Sequence, residues 1–221
     1  DSYRIWAAAA DIAVHHSEYG RAVMEAEYEY GDHTVHAVVP HGHWGDMLEP
    51  FRPAGGREEA EWRNQMTPVG LRLGVVGAPR DQKNVQQVID AVHASSRDDI
   101  ELRVWSLRDE TVPDDPRIIA EPYRMTDHAI YAGRLFALDA LVMPFDEGML
   151  TTGTVGDAIG AGIPTLASSG WGYLPEALGD AAIYYGTTTE ELTACIDGLT
   201  DEQLDAARAA IPERRAALDS V

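Results

Sequence analysis

The stretch Met143–Glu176, MPFDEGMLTTGTVGDAIGAGIPTLASSGWGYLPE, constrains this chain more than any other part. The apolar run Leu141–Met143 predicts a strand that opens into an acidic, glycine-bearing loop. A helix is predicted to start at Thr151-Thr152-Gly153-Thr154, and a second apolar run follows at Ile163–Ala167. Strand, glycine loop, helix, strand is the unit that presents bare main-chain amides at a helix N-terminus, where phosphate binds well. A second unit of the same kind lies upstream. There Leu71–Val76 ends at Gly77, and Arg80 and Lys83 follow just before a predicted helix. Two phosphate-attracting turns in one chain point to a nucleotide-linked substrate.

From Gly70 onward the apolar runs alternate regularly with helical periodicity. The pattern predicts strands at Leu71–Val76, Glu101–Trp105, Arg117–Ala120, Leu141–Met143, Thr165–Ala167 and Ala182–Tyr184. Between and after them it predicts helices at Asn84–Ser95, Thr126–Leu138, Thr152–Ala161, Leu174–Leu178, Thr189–Gly198 and Asp201–Ala217. Strands alternating with helices imply an α/β fold, a Rossmann-like parallel sheet with helices on both faces and ligands at the carboxyl ends of its strands. Both glycine turns fall on that edge, so they can share one ligand.

The first 45 residues predict a helix tail at Ile5–Ala13, a short strand at Val14–Ser17, a helix at Glu18–Tyr30 and a strand at Val35–Val39. This is a partial second α/β unit. Asp46–Pro68 is richer in Pro, Gly and charge and reads as a linker with one short helix, Gly56–Met66. The expected organisation is therefore 1–45, 46–68 and 69–221.

Composition removes several function classes. The net charge of -20 opposes nucleic-acid backbones and anionic membranes. No apolar run is long enough to span a bilayer. The single cysteine, Cys195, excludes an internal disulfide and a cysteine-based zinc site. Lys83 is the only lysine. The first residue is Asp1, and the chain is expected to be trimmed or excised from something longer.

Arg80 and Lys83, three apart at a strand-to-helix turn, can lean over the strand end and hold a diphosphate in two ways. Arg grips oxygens bidentately, and Lys acts as a point charge. The alternative is a solvated cationic pair beside a helix start, where the helix dipole disfavours it. Gly153 permits close backbone approach, and Thr152 and Thr154 can cap a helix or donate to phosphate oxygens. Asp157, one helical turn on, suits a sugar diol such as ribose; alternatively it only complements the dipole. Glu147 can accept from hydroxyls of a donor sugar, or stand as an idle loop acid. Glu176 is expected to serve the first turn of its own helix. His15-His16 and His41-Gly42-His43 lack coherent metal spacing, and local hydrogen bonding is their default reading.

At these residues the chain resembles the GT-B glycosyltransferases of the group 1, family 4-like type. Val38-Val-Pro-His41-Gly42 looks like the segment that closes the N-terminal domain in that family. Gly77-x-x-Arg80-x-x-Lys83-Asn84-Val85 resembles its donor-phosphate turn. Asp139-Ala-Leu-Val-Met-Pro144-Phe145, Leu150-Thr-Thr-Gly153-Thr154 and Gly162-Ile-Pro164 resemble its donor loop, helix and strand. Gly172-Tyr-Leu-Pro-Glu176 is similar to its glycine–proline–glutamate turn. The chain departs from the pattern twice. Ala78 stands where an arginine is usual, with Arg80 taking over. The usual glutamates eight apart are absent, since Val155 lies eight after Glu147 and Met149 eight before Asp157.

The resemblance implies a nucleoside-diphosphate sugar as donor and transfer of its sugar to an acceptor hydroxyl. Arg80, Lys83, Thr152, Gly153 and Thr154 would then contact the diphosphate, Asp157 the ribose, and Glu147, as the catalytic-side acid, the donor sugar. It implies retention at the anomeric carbon, no metal and no other cofactor, and a cytoplasmic protein that can sit at the inner face of a membrane. Residues 1–45 would be the closing strand–helix–strand of the acceptor domain, and 69–221 the donor domain. With the acceptor domain incomplete, the isolated chain is expected to bind nucleoside diphosphate weakly and to transfer nothing. The alternatives are a sugar-nucleotide epimerase of the same fold and a non-catalytic nucleotide-sugar-binding module.

Overall fold

The computed structural model describes residues 2–145, 150–170 and 172–219. These form two parallel sheets. The smaller pairs β1 (Ile12–His15) with β2 (Val35–Val38), register Ile12↔Val35, and is fed by α1 (Ser2–Ala9) and α2 (Glu18–Glu27). The larger runs in the order β5-β4-β3-β6-β7-β8. Its strands are β3 (Leu71–Val75), β4 (Ile100–Leu107), β5 (Ile118–Pro122), β6 (Ala140–Met143), β7 (Thr165–Ser168) and β8 (Ala182–Tyr185). The order reverses between β3 and β6, and a crevice opens there at the carboxyl ends of the strands.

Strand alternation decides which helices cover which face. Leu71, Leu73 and Val75 of β3 point one way and pack with Val88, Ile89 and Val92 of α5 (Val85–Ala94) and Leu192 and Ile196 of α9 (Thr189–Asp197). On the other face, Leu141 and Met143 of β6 meet Leu135 of α6 (His128–Phe136), Ile159 of α7 (Gly153–Ala161) and Leu174 of α8 (Tyr173–Leu178). Each such buried side chain contributes roughly 2 kcal/mol over leaving it in water. The long helix α10 (Asp201–Asp219) returns along this second face and adds Ile211 to its core. Among the described residues, no helix is long and apolar enough to cross a membrane.

Two departures from the sequence reading have local causes. The strand expected at Val14–Ser17 lies at Ile12–His15, because Ser17 leaves the ladder to cap α2, accepting from Gly20 N at 2.8 Å. Segment 46–68 is well packed. It contributes α3 (Gly45–Leu48), a 3-10 turn at Glu49–Phe51 and α4 (Gly56–Arg63), with Leu48 and Ala60 in the core. α4 also carries Glu61, which pairs with the fully buried Arg72 of β3. Arg72 donates in addition to Glu101 at 2.6 Å and to the Thr67 carbonyl. A buried guanidinium is tolerated only when paired and hydrogen-bonded in this way.

Candidate functional site

The first wall of the crevice is the turn after β3. Gly77 has φ +86, a backbone conformation that favours glycine, and a Cβ there would stand 2.7 Å from the Lys83 ammonium and displace it. The chain then runs extended through Arg80 into a 3-10 turn, Asp81–Lys83, and through the left-handed Asn84 into α5. Lys83 therefore ends a tight turn before the helix and reaches back over the strand end. Its Nζ donates to the Val76 carbonyl at 3.0 Å and to Thr154 Oγ1 at 3.4 Å.

The second wall is the N-terminus of α7. Thr152 caps it, accepting from Thr154 N at 3.3 Å and donating from its own hydroxyl to Thr154 Oγ1 at 3.2 Å. Gly153 is the first helical residue. A Cβ there would come no nearer to another atom than 3.9 Å, at Trp44 Nε1, so the amide end of the helix opens onto free space. Together the walls enclose a cleft of about 330 Å³ lined by His41, Gly77, Arg80, Lys83, Thr151, Thr152, Gly153, Thr154 and Asp157.

A third segment closes the cleft from the small-sheet side. Gly156 and Gly160 of α7 let residues 42–45 lie directly on the helix. A Cβ at Gly156 would meet the Gly42 carbonyl at 2.6 Å, and one at Gly160 the Gly45 nitrogen at 2.6 Å. Trp44 N donates to the Gly156 carbonyl at 3.3 Å. This close approach delivers His41 to the cleft.

Burial sets the charges. Lys83 is 4 % exposed. Desolvation pushes its pKa down to about 8; Asp157 acts against the shift and the Arg80 charge adds to it. Asp157, 9 % exposed, is driven the other way, up to about 6, again chiefly by burial. The Tyr131 hydrogen bond, Lys83 and His41 oppose that rise. Tyr131 Oη donates to Asp157 Oδ2 at 2.7 Å, and burial beside that carboxylate holds the phenol well above its ordinary pKa. Tyr131 therefore stays the donor, while Oδ1 of Asp157 has no partner among the described residues. Arg80 is exposed, and its side chain makes no hydrogen bond or ion pair with a described residue.

The structure thus brings Arg80, Lys83, Thr152, Gly153, Thr154 and Asp157 to one cleft. Glu147 lies outside the described residues. Glu176 departs from expectation: it sits on α8, but its carboxylate caps α2. Tyr131 and His41 were not assigned to the site from sequence. Only the glycine spacing 153, 156, 160 could have announced the close crossing that brings His41 in. The histidines make hydrogen bonds, but mostly across the fold rather than locally: His16 to the Val39 carbonyl at 2.9 Å, His15 to His36 at 3.0 Å and His43 to Asp219 at 2.7 Å. Among the described residues, no group of three or more His, Cys, Asp or Glu side chains could hold a metal ion.

Against this geometry, known proteins offer likeness in structure. No protein-family model matches the chain, and no curated protein matches it significantly. A sucrose-phosphate synthase from Thermosynechococcus elongatus superposes with a TM-score of 0.73 at 17% identity, over 97% of this chain and 56% of that one. The likeness is one of fold. HepE from Anabaena, solved with UDP and glucose, gives a TM-score of 0.71 at 12% identity, over 99% of this chain and 64% of that one. The C-terminal domain of a group 1 glycosyl transferase (LpcC) from Francisella tularensis gives 0.59 at 17% identity, over 77% of this chain and 96% of that domain. The chain thus spans less than two thirds of the length of the first and second of these.

Proposed function

We propose that this cleft holds the diphosphate of a nucleoside-diphosphate sugar, and that the chain is mainly the donor-binding part of a glycosyltransferase that moves the sugar to an acceptor hydroxyl. The observation that carries the reading is the meeting of the two turns: the Lys83 ammonium stands 3.4 Å from Thr154 Oγ1 at the open N-terminus of α7. A buried cation and a helix N-terminus facing one space suit a compact anion with two charged centres. The fold shared with HepE, whose structure contains UDP and glucose, supports a sugar nucleotide over a free phosphate.

When the glycosidic bond breaks, negative charge grows on the leaving diphosphate. Arg80, exposed and held by no described residue, is free to swing onto that charge, whereas Lys83 and the Gly153 amide are in place before it appears. The latter two stabilise the transition state without reorganising, an effect often worth about 3 kcal/mol per well-placed donor. These groups neutralise the diphosphate without a metal. Oδ1 of Asp157 accepts from a ribose hydroxyl, with Tyr131 fixing the carboxylate, and Glu147 is assigned by resemblance to the hydroxyls of the donor sugar. Residues 69–221 form the donor unit and residues 1–45 belong to the acceptor side, in a protein working in the cytoplasm. Retention at the anomeric carbon is the stereochemical outcome expected.

The test is to incubate the chain with UDP-, GDP- and ADP-glucose and follow both binding and sugar release. Binding of one nucleotide with little release fits the proposal. Binding of none removes it, and interconversion of the sugar's epimers would mean a different reaction.

A further inference from the structure

Glu176 does not line the cleft, yet it joins the large-sheet unit to a helix of the small sheet. Its Oε1 accepts from Glu18 N at 2.7 Å and its Oε2 from Tyr19 N at 3.0 Å. These are the first two amides of α2, and the third, Gly20 N, is satisfied by Ser17 Oγ at 2.8 Å. A side chain from the large-sheet unit thereby completes the cap of a small-sheet helix, 158 positions away for Glu18. A carboxylate receiving two amides at a helix N-terminus is favoured by both charge and dipole. Gly172 seats the contact, since a Cβ there would stand 2.6 Å from the Tyr19 ring.

The other anchor of α8 reaches the cleft. Tyr173 is 1 % exposed, and its phenol accepts from Thr151 Oγ1 at 3.3 Å. Thr151 directly precedes Thr152, the cap of α7. The start of α2 also borders this turn: a Cβ at Gly20 would stand at ordinary contact distance, 3.7 Å, from the Leu150 carbonyl. One short helix therefore holds α2 through Glu176 and the phosphate turn through Tyr173.

We propose that Glu176 is a positioning residue: by pinning the N-terminus of α2 to α8, it fixes the Thr151–Gly153 turn in the geometry whose amides receive a diphosphate. The proposal rests on the diphosphate reading of the cleft. Without the carboxylate, two helix amides lose their acceptor, α2 loses its seat, and the turn loses a wall.

A double-mutant cycle tests it. Glu176→Ala removes the acceptor. Glu18→Pro removes one donor at the first helical position, where proline is tolerated. Glu176→Gln keeps the shape and lowers the charge. Each full-length variant is checked for folding by circular dichroism, then titrated by calorimetry with inorganic pyrophosphate and with UDP, GDP and ADP. Glu176→Ala should weaken pyrophosphate and the tightest nucleotide by the same factor, about tenfold. Glu176→Gln and Glu18→Pro should weaken them less, and the double variant no more than Glu176→Ala alone. A folded Glu176→Ala chain with wild-type pyrophosphate affinity overturns the proposal, whatever its melting temperature. So do losses that simply multiply in the double variant. If the wild-type chain itself bound neither pyrophosphate nor any of the nucleotides, the reading of the cleft would fail first and the proposal with it.

Discussion

Lys83 is the residue on which chemistry and burial meet most sharply. The only lysine of the chain is placed where water is largely excluded, and its ammonium consequently holds its proton less tightly than a solvated one while remaining mostly charged at neutral pH. Reductive methylation with isotopically labelled formaldehyde would mark this single side chain and the terminal amine. By NMR, the Lys83 signal should titrate near pH 8 in the free chain and move upward when pyrophosphate is added, because an anion favours the charged form. A free-chain value near 10.5 would mean that the ammonium is solvated. Asp157 makes the complementary case. Its folded pKa, about 6, lies above its ordinary 3.8, so the folded state binds the proton more tightly than the unfolded chain does. The cost of burying its charge is fully present above pH 6 and is lost as pH falls toward 3.8. Asp157→Asn should therefore stabilise the protein by about 3 kcal/mol at pH 7.5 and by only about 0.5 kcal/mol at pH 4, while weakening nucleotide binding. Denaturant unfolding at the two pH values reads the difference, and a variant less stable at pH 7.5 would contradict it. Lys83, Arg80, Thr152, Gly153, Thr154 and Asp157 were legible as a group because each lies in a strand-to-helix loop or in the first five residues of the helix that follows it. Tyr131 and the true partner of Glu176 were not, since they arrive from other elements through tertiary packing that no local pattern encodes.

At the scale of elements, α7 carries three glycines with different duties. Gly153 faces open space, whereas Gly156 and Gly160 lie under main chain of residues 42–45. Gly153→Ala should leave the melting temperature within a few degrees of wild type but narrow the approach of a phosphate to the amides. Gly160→Ala should cost about 2–4 kcal/mol, because backbone at 2.6 Å cannot yield as a flexible side chain can. Thermal melts of the two variants separate these roles, and equal losses in both would refute the division. The alternation of strands and helices was readable from Leu71 to Ala217, since buried parallel strands are short apolar runs and helices keep their own period. The helix α3 escaped that reading, as four residues are too few to show a period. The placement of β1 also escaped it, decided as it was by a serine that served better as a cap than as a rung.

The whole molecule is a pair of parallel sheets held in register by a packed connection and by α2, α8 and α10. Arg72, Glu61 and Glu101 tie that connection into β3 at the rim opposite the cleft. Glu61→Ala would leave part of a fully buried guanidinium uncompensated and should cost about 3 kcal/mol in urea unfolding without altering pyrophosphate affinity; a neutral effect on stability would show the pair to be dispensable. The net charge of -20 repels anions at a distance, so any diphosphate is held by the local field of Lys83, Arg80 and the α7 terminus. That claim is met most directly by calorimetry of inorganic pyrophosphate with the wild-type chain and Lys83→Ala at pH 7. One binding site in the wild type, weakened at least about tenfold by the substitution, is the predicted result. Equal affinity in the two chains, or no binding in either, would contradict it.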